Sequence, residues 1–306
     1  MSPPGELNGF KAAARILHWL EAIGKLTLPI DLDLVRQLLP DTPFGRGAVL
    51  KAPAPLTWGG SEGALVRNPA NDAEWGIFYH PAARPERRRF TIAHELGHFV
   101  LHRERYGEFN CSKEGIYSGL DSLVAIEREA DEFASNLLMP GNLLRQRLAD
   151  RRVDLHLLSA LAHEFGVSLE ALCIRFVKYT AERAVLLYWD HGYLKYQWPS
   201  TAARKTRVRL RPSGNPAEPP PDTVAADATI AQEWAGVDLP ASCWCVSEAP
   251  AIRLRELKHS YPQGNRVLSL LLLEAAPPPA WHRGWEDEAT LDSVDRFPAH
   301  GQAMRR

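Results

Sequence analysis

Apolar positions along the chain recur with two periods, and the change from one to the other marks its elements. Over residues 8–39, Phe10, Ala13, Ile16, Leu17 and Leu20 fall on one helical stripe, and a second short helix is expected over residues 33–39. Between residues 45 and 80 the runs shorten to 47–50, 63–66 and 76–79, punctuated by Gly, Pro and Asn. That pattern predicts a small antiparallel sheet. A helical pattern returns over residues 90–103. Residues 106–123, rich in Gly and polar side chains, follow as an expected loop over a cleft. Residues 125–138 are helical again: at about 100° per residue, Ile126, Ala130, Phe133, Ala134, Leu137 and Leu138 form one stripe.

Residues 155–176 contain a helix, a turn at Gly166-Val167-Ser168, and a second helix that Ser168 can cap. This is a helix-turn-helix pattern. Beyond residue 183, runs 184–189 and 193–198 flank Asp190-His191-Gly192, which predicts a hairpin. Runs 207–210, 243–246, 252–257 and 266–274 read as further strands, 230–234 as a short helix, and the Pro-rich stretch 212–221 as a loop. Pro277-Pro278-Pro279 ends the pattern. The expected divisions are residues 1–145, a helix-turn-helix-like segment 146–182, an α+β domain 183–276 and a flexible tail 277–306.

Chemistry concentrates in Arg89-Phe90-Thr91-Ile92-Ala93-His94-Glu95-Leu96-Gly97-His98. On a helix, residues four apart share a face, so His94 and His98 can turn both imidazoles toward one metal ion. Glu95 sits beside the first of them, placed to reach a water rather than the metal. With one further protein ligand, a fourth zinc position stays open for that water. Zinc lowers the pKa of such a water to about 7, and the carboxylate takes its proton as it attacks a polarised carbonyl. His-Glu-x-x-His fixes only three residues and occurs on ordinary surface helices. Here Phe90, Ala93, Leu96, Gly97, Val100 and Leu101 surround the histidines with apolar groups, which a solvated helix would not need.

The third ligand is sought on the helix over residues 125–138, which offers several acids. Glu127 falls within the apolar stripe, Asp131 flanks it, and Glu129 and Glu132 point away. An acid on an apolar face is costly unless it meets a cation or hydrogen bonds, which favours Glu127 as the ligand. Asp131, one turn later, can accept the remaining N–H of a ligating histidine and set its tautomer. Glu129 and Glu132 are expected to lie on a solvated face. His102 does not extend the ligand row into a metzincin pattern, since Leu101 and Glu104 stand where Gly and His would be needed. It is read as a partly buried helix-end histidine. His80, Arg87 and Tyr117 are weak candidates for stabilising an oxyanion.

The strings RRRFTIAHELGHFVLH and EREADEFASNLLMP make residues 28–178 resemble the ImmA/IrrE family of bacterial zinc metallopeptidases. The resemblance implies His94, His98 and Glu127 as zinc ligands and Glu95 as general base; relatives often carry Asn where this chain has Asp131. It also implies a zincin-like core in an α+β fold, followed in the IrrE branch by a sensor-like domain. The implied activity is a cytoplasmic endopeptidase that cuts a helix-turn-helix transcriptional repressor, derepressing stress or mobile-element genes. Two imidazoles and a carboxylate suit Zn²⁺ and would also accept Mn²⁺.

Composition narrows the alternatives. The 306 residues are 45% hydrophobic and 24% charged, with a formal net charge of −1. No global basic field would hold such a chain on nucleic acid. The second helix of the helix-turn-helix pattern offers only Arg175 and Lys178 to DNA, so DNA binding is the weaker reading. No run approaches the ~20 apolar residues of a membrane helix, and the N-terminus lacks a signal-peptide pattern, so no membrane partner is expected. Cys111, Cys173, Cys243 and Cys245 are few and unevenly spaced, as reduced thiols would be. The competing function class is a non-hydrolytic regulator that binds DNA or a protein; it would have no need for Glu95.

Overall fold

The computed structural model describes residues 7–57, 61–105, 108–111, 121–211, 214, 216–248, 251–262 and 265–275. The expected tail, 277–306, and Tyr117 lie outside these residues. Helix α1 (Gly9–Ala22) starts where the Asn8 side chain accepts the Lys11 N–H at 2.9 Å, and it buries Ala12, Ala13, Ile16 and Leu20. Helix α2 (Leu32–Leu38) is capped by Asp31, which accepts from the Asp33 and Leu34 N–H groups. Both helices bring their stripes to one core.

The first sheet has β3 (Gly63–Arg67) at its centre. It pairs antiparallel with β4 (Glu74–Tyr79) on one side and with β5 (Glu108–Cys111) on the other. Two short strands, β1 (Val49–Leu50) and β2 (Ala54–Pro55), join β4 in parallel, so the antiparallel arrangement holds for β3, β4 and β5 only. Strand β5 lies within the stretch expected to be a loop; its backbone completes the β3 ladder. The sheet buries Leu65, Trp75 and Ile77 toward helix α3 (Pro85–Leu101), where Trp75 meets Phe99 edge-on at 6.1 Å. Helix α3 begins five residues before the expected Phe90. Pro85 occupies its first turn after an extended Arg84, a good start that the charged run Glu86-Arg87-Arg88-Arg89 conceals from hydrophobic periodicity.

Helix α4 (Asp121–Leu138) packs along α3 and under α1. Helix α5 (Gly141–Leu148) follows, then α6 (Leu155–Phe165) and α7 (Leu169–Tyr179), bent by 107° at their junction. Asp154 and Ser168 cap their starts, and Gly166 at φ 66° ends α6 in the left-handed region. This is helix-turn-helix geometry. Arg175, however, is buried, donating to the Met139 carbonyl and to Asn136 Oδ1, and Lys178 lies 5.2 Å over the Trp198 ring. Of the two cations sought for DNA, Arg175 is turned inward, while Lys178 remains exposed beside the Trp198 ring.

Beyond residue 183 the chain builds a second, antiparallel sheet in the order β7-β6-β10-β9-β8. Its strands are β6 (Arg183–Asp190), β7 (Tyr193–Pro199), β8 (Gln232–Pro240), β9 (Arg253–Ser260) and β10 (Arg266–Leu273). The hairpin expected around Asp190-His191-Gly192 joins β6 to β7, with His191 and Gly192 both at positive φ. Strands β6 and β10 are apolar on both faces because both faces are covered. Ala184, Leu186, Leu257, Leu268, Leu270 and Leu272 enter the core shared with the helices. Val185, Leu187, Trp189, Leu271 and Leu273 enter a second cluster around Trp244. Residues up to Glu274 therefore form one compact unit.

Three expectations here need correction. Residues 230–234 are not a helix; they lead into β8, whose alternation is broken by a register shift between Glu233 and Val237, with Gly236 at φ 91°. Residues 243–246 are not a strand, since a 3-10 turn over Ala241–Cys243 instead lowers Trp244 into the second core. Residues 207–210 contribute only a bridge from Leu210 to Cys245, after the short helix α8 (Thr201–Lys205) that Ser200 caps. Among the described residues no single helix is long and apolar enough to cross a membrane, and Cys173, Cys243 and Cys245 are free thiols.

Candidate metal centre

Helices α3 and α4 run close enough to share one site because Gly97 has no side chain. A Cβ there would meet the Ala130 Cα at 3.1 Å and the Ala130 carbonyl oxygen at 3.2 Å. Across this contact α3 presents His94 and His98 from one face, and α4 presents Glu127 one turn before Ala130. His94 Nε2 lies 3.0 Å from His98 Nε2 and 3.1 Å from Glu127 Oε2. His98 Nε2 lies 3.3 Å from Glu127 Oε1. The three residues can each offer one atom to a common ion, all within 4.8 Å of one another.

These separations suit a small divalent cation. In a tetrahedron with bonds of about 2.0–2.1 Å, ligand atoms sit roughly 3.3 Å apart. Two imidazole nitrogens facing each other across 3.0 Å also leave no room for a proton on both, and a shared cation between their lone pairs resolves that conflict. The donor set is two neutral nitrogens and one carboxylate, a combination that takes zinc or manganese.

The outer nitrogens of both histidines are engaged. His94 Nδ1 is 3.0 Å from Asp131 Oδ1, which places the acid beside the histidine it was expected to orient. His98 Nδ1 is 3.2 Å from His102 Nδ1, and His102 Nε2 is 3.0 Å from Glu129 Oε2. Glu129 is thus not merely part of a solvated face, because its side chain reaches back across the helix pair to α3. Glu132 remains exposed, as expected of that face. Helix α1 passes beside its stem, with Gly9 close to the Glu132 Cβ, and partial desolvation raises its carboxyl above the usual range. His102 ends α3 as expected but is fully enclosed at 2% exposure.

Glu95 is 0% exposed and faces β3. A Cβ at Gly63 would come within 2.8 Å of Glu95 Oε1 and 2.3 Å of Thr91 Cγ2, so the central strand passes directly over the acid. Sequence reasoning gave Gly63 no role; its only signal was a glycine opening a strand run. Two of the weak oxyanion candidates, His80 and Arg87, are not drawn in. His80 is exposed and its Nδ1 accepts the Ala82 N–H, while Arg87 is half-exposed beside Glu62 and the Phe90 ring.

Electrostatics favour the metal-ready protonation state. Burial pushes the Glu127 carboxyl up, but hydrogen bonds to His94 and His98 outweigh it and hold the group well below its ordinary range. Burial lowers His98 to about 4, against the pull of Glu127. Burial likewise lowers His102, against Glu129. An ionised carboxylate and neutral imidazoles are the forms that bind a metal.

Residues 54–177 match the family model Peptidase_M78, the IrrE N-terminal-like domain. That span contains His94, Glu95, His98, Glu127 and Asp131. Among solved structures the chain is similar to a Mycobacterium tuberculosis transcriptional regulator, at 17% identity over 86% of this chain and 75% of that one, with a TM-score of 0.49. No curated protein matches the chain.

Proposed function

We propose that this chain, which carries an IrrE N-terminal-like peptidase domain over residues 54–177, is a zinc-dependent endopeptidase acting on a helix-turn-helix transcriptional repressor in the cytoplasm. The observation that carries the reading is the convergence of His94, His98 and Glu127 beside a fully enclosed Glu95. Bound zinc would supply a Lewis acid that polarises the scissile carbonyl and acidifies the attacking water. His94, His98 and Glu127 would hold it, with manganese an acceptable substitute.

The remaining steps belong to the chain's own side chains. Glu95 removes a proton from the attacking water at its carboxylate and returns it to the departing amine nitrogen. Asp131 keeps His94 Nε2 bare by accepting from Nδ1–H, so the imidazole faces the site with its lone pair. Strand β5 forms an edge of the first sheet, and an extended substrate segment can add to such an edge through main-chain hydrogen bonds. The choice of a repressor as substrate, and release of stress or mobile-element genes as its consequence, rest on the family resemblance. The second sheet is assigned a sensor or recruiting role on the same ground.

The test uses the full chain and a helix-turn-helix repressor encoded beside it. Glu95→Gln keeps size and most hydrogen bonding, so zinc should stay bound while cleavage falls by about 10²–10⁴. His98→Ala and Glu127→Ala should each lose the metal. Wild-type cleavage by Glu95→Gln would refute the mechanism, and full zinc occupancy in both ligand variants would refute the site.

A further inference from the structure

We infer that His102 and Glu129 are positioning residues that set the tautomer of His98, so that metal affinity depends on a hydrogen-bonded relay ending on a carboxylate that touches neither metal nor substrate. The inference rests on the metal-centre reading above and extends it to residues outside the motif.

The directions of the two hydrogen bonds follow from what each group can do. An ionised Glu129 can only accept, so His102 Nε2 must carry the proton in the 3.0 Å contact. A neutral His102 then has a bare Nδ1, which can only accept. The 3.2 Å contact to His98 Nδ1 therefore requires the proton on His98, and His98 Nε2 is left with its lone pair directed at His94 and Glu127. Without Glu129 the chain loses its terminus. His102 could then place its proton on Nδ1 and donate to His98, which would move the His98 proton to Nε2 and block the ligand atom.

The two ligating histidines are thus held by parallel devices of different length. His94 reaches Asp131 directly at 3.0 Å. His98 lies one turn deeper at 0% exposure, and His102 spans the gap to Glu129. All five participants come from α3, the residue that caps its end, and α4, so the same helix contact that assembles the ligands assembles both tautomer locks.

The experiment measures zinc affinity of the full chain by competition with a chromophoric chelator, alongside denaturant unfolding of metal-stripped protein. Glu129→Ala and His102→Phe should weaken zinc binding about 10–100-fold. His102→Gln should recover part of the loss, because its amide oxygen can accept from His98 Nδ1–H; a role limited to filling space predicts the opposite order, with Phe the better replacement. Glu129 is 41% exposed at its side chain, so Glu129→Ala gives a folded test even where His102→Phe does not fold. Zinc affinity within about twofold of wild type in folded Glu129→Ala, well short of the tenfold minimum, overturns the relay while leaving the site intact. Failure of the wild-type chain to bind zinc, or equal binding by His98→Ala, overturns the metal centre itself and the relay with it.

Discussion

Replacing Gly97 by alanine sets two effects of similar size against each other, and their separation reports on how the site is built. Alanine is better than glycine inside a helix by about 0.8–1.0 kcal/mol. Against this, the new Cβ would lie 3.1 Å from the Ala130 Cα, 3.1 Å from Phe133 Cδ1 and 3.2 Å from the Ala130 oxygen, where ordinary contact begins at 3.4 Å. The Phe133 ring can rotate away, but two of the three atoms are α4 backbone, so the helix itself must shift by a few tenths of an ångström. Overpacking of this kind costs about 1–3 kcal/mol. The net expectation is a loss of roughly 0–2 kcal/mol, small enough to leave a folded protein.

The metal should register the shift more strongly than stability does. Glu127 precedes Ala130 by one turn and moves with it, whereas metal–ligand distances tolerate only about ±0.2 Å. Zinc binding to Gly97→Ala should therefore weaken by on the order of tenfold or more, comparable with losing an orienting partner. Denaturant unfolding of the metal-stripped chain gives the first quantity and chelator competition gives the second. A variant stabilised by the full propensity gain that binds zinc like wild type would show that α3 and α4 are not held at their distance by Gly97.

Other perturbations separate chemistry, fold and binding. Gly63→Ala would drive a methyl to 2.8 Å from Glu95 Oε1 and 2.3 Å from Thr91 Cγ2; cleavage should fall while zinc occupancy stays, and unaltered cleavage would show that β3 does not position the acid. Arg175→Met removes donors from Asn136 and the Met139 carbonyl and should cost about 2–4 kcal/mol in unfolding, with affinity for duplex DNA unchanged; weakened DNA binding in a folded variant would revive the DNA reading. Truncation after Thr180 strips Leu186, Leu257, Leu268, Leu270 and Leu272 from the core shared with the helices, so the fragment should aggregate or melt well below the full chain; a stable, zinc-binding fragment would show that the second sheet is dispensable for folding.

The elements most legible in the sequence are those marked by a helical apolar stripe or by turn residues between apolar runs. Helices α1, α4, α6 and α7 show apolar stripes, joined in α1, α6 and α7 by capping residues, and the β6–β7 hairpin has its turn residues between two apolar runs. Strand β8 was hidden for a physical reason. It is an edge strand with little burial, and its irregularity at Glu233–Val237 shifts the phase of the alternation. The start of α3 was hidden because its first turn is charged and half-exposed, so only Pro85 marks it. The single core joining the helices to the second sheet was also invisible, because an apolar strand does not say which layer covers it.

In the site, the apolar stripe of α4 points to Glu127 and Asp131 and leaves Glu129 on a solvated face. The criterion asked which acids an apolar face would enclose, and a long side chain at the margin of that face escapes it by reaching sideways. What the stripe could not supply was a partner on another helix. Ligand-type residues do recur on both: His94, His98 and His102 stand four apart on α3 and its end, and Glu127, Glu129 and Asp131 stand two apart on α4. Two such rows brought together by one glycine contact must pair, since a buried imidazole left without an acceptor is costly. Of three histidines and three acids, the first two histidines and Glu127 converge on the metal position. Asp131 then answers His94, and His102 with Glu129 answers His98.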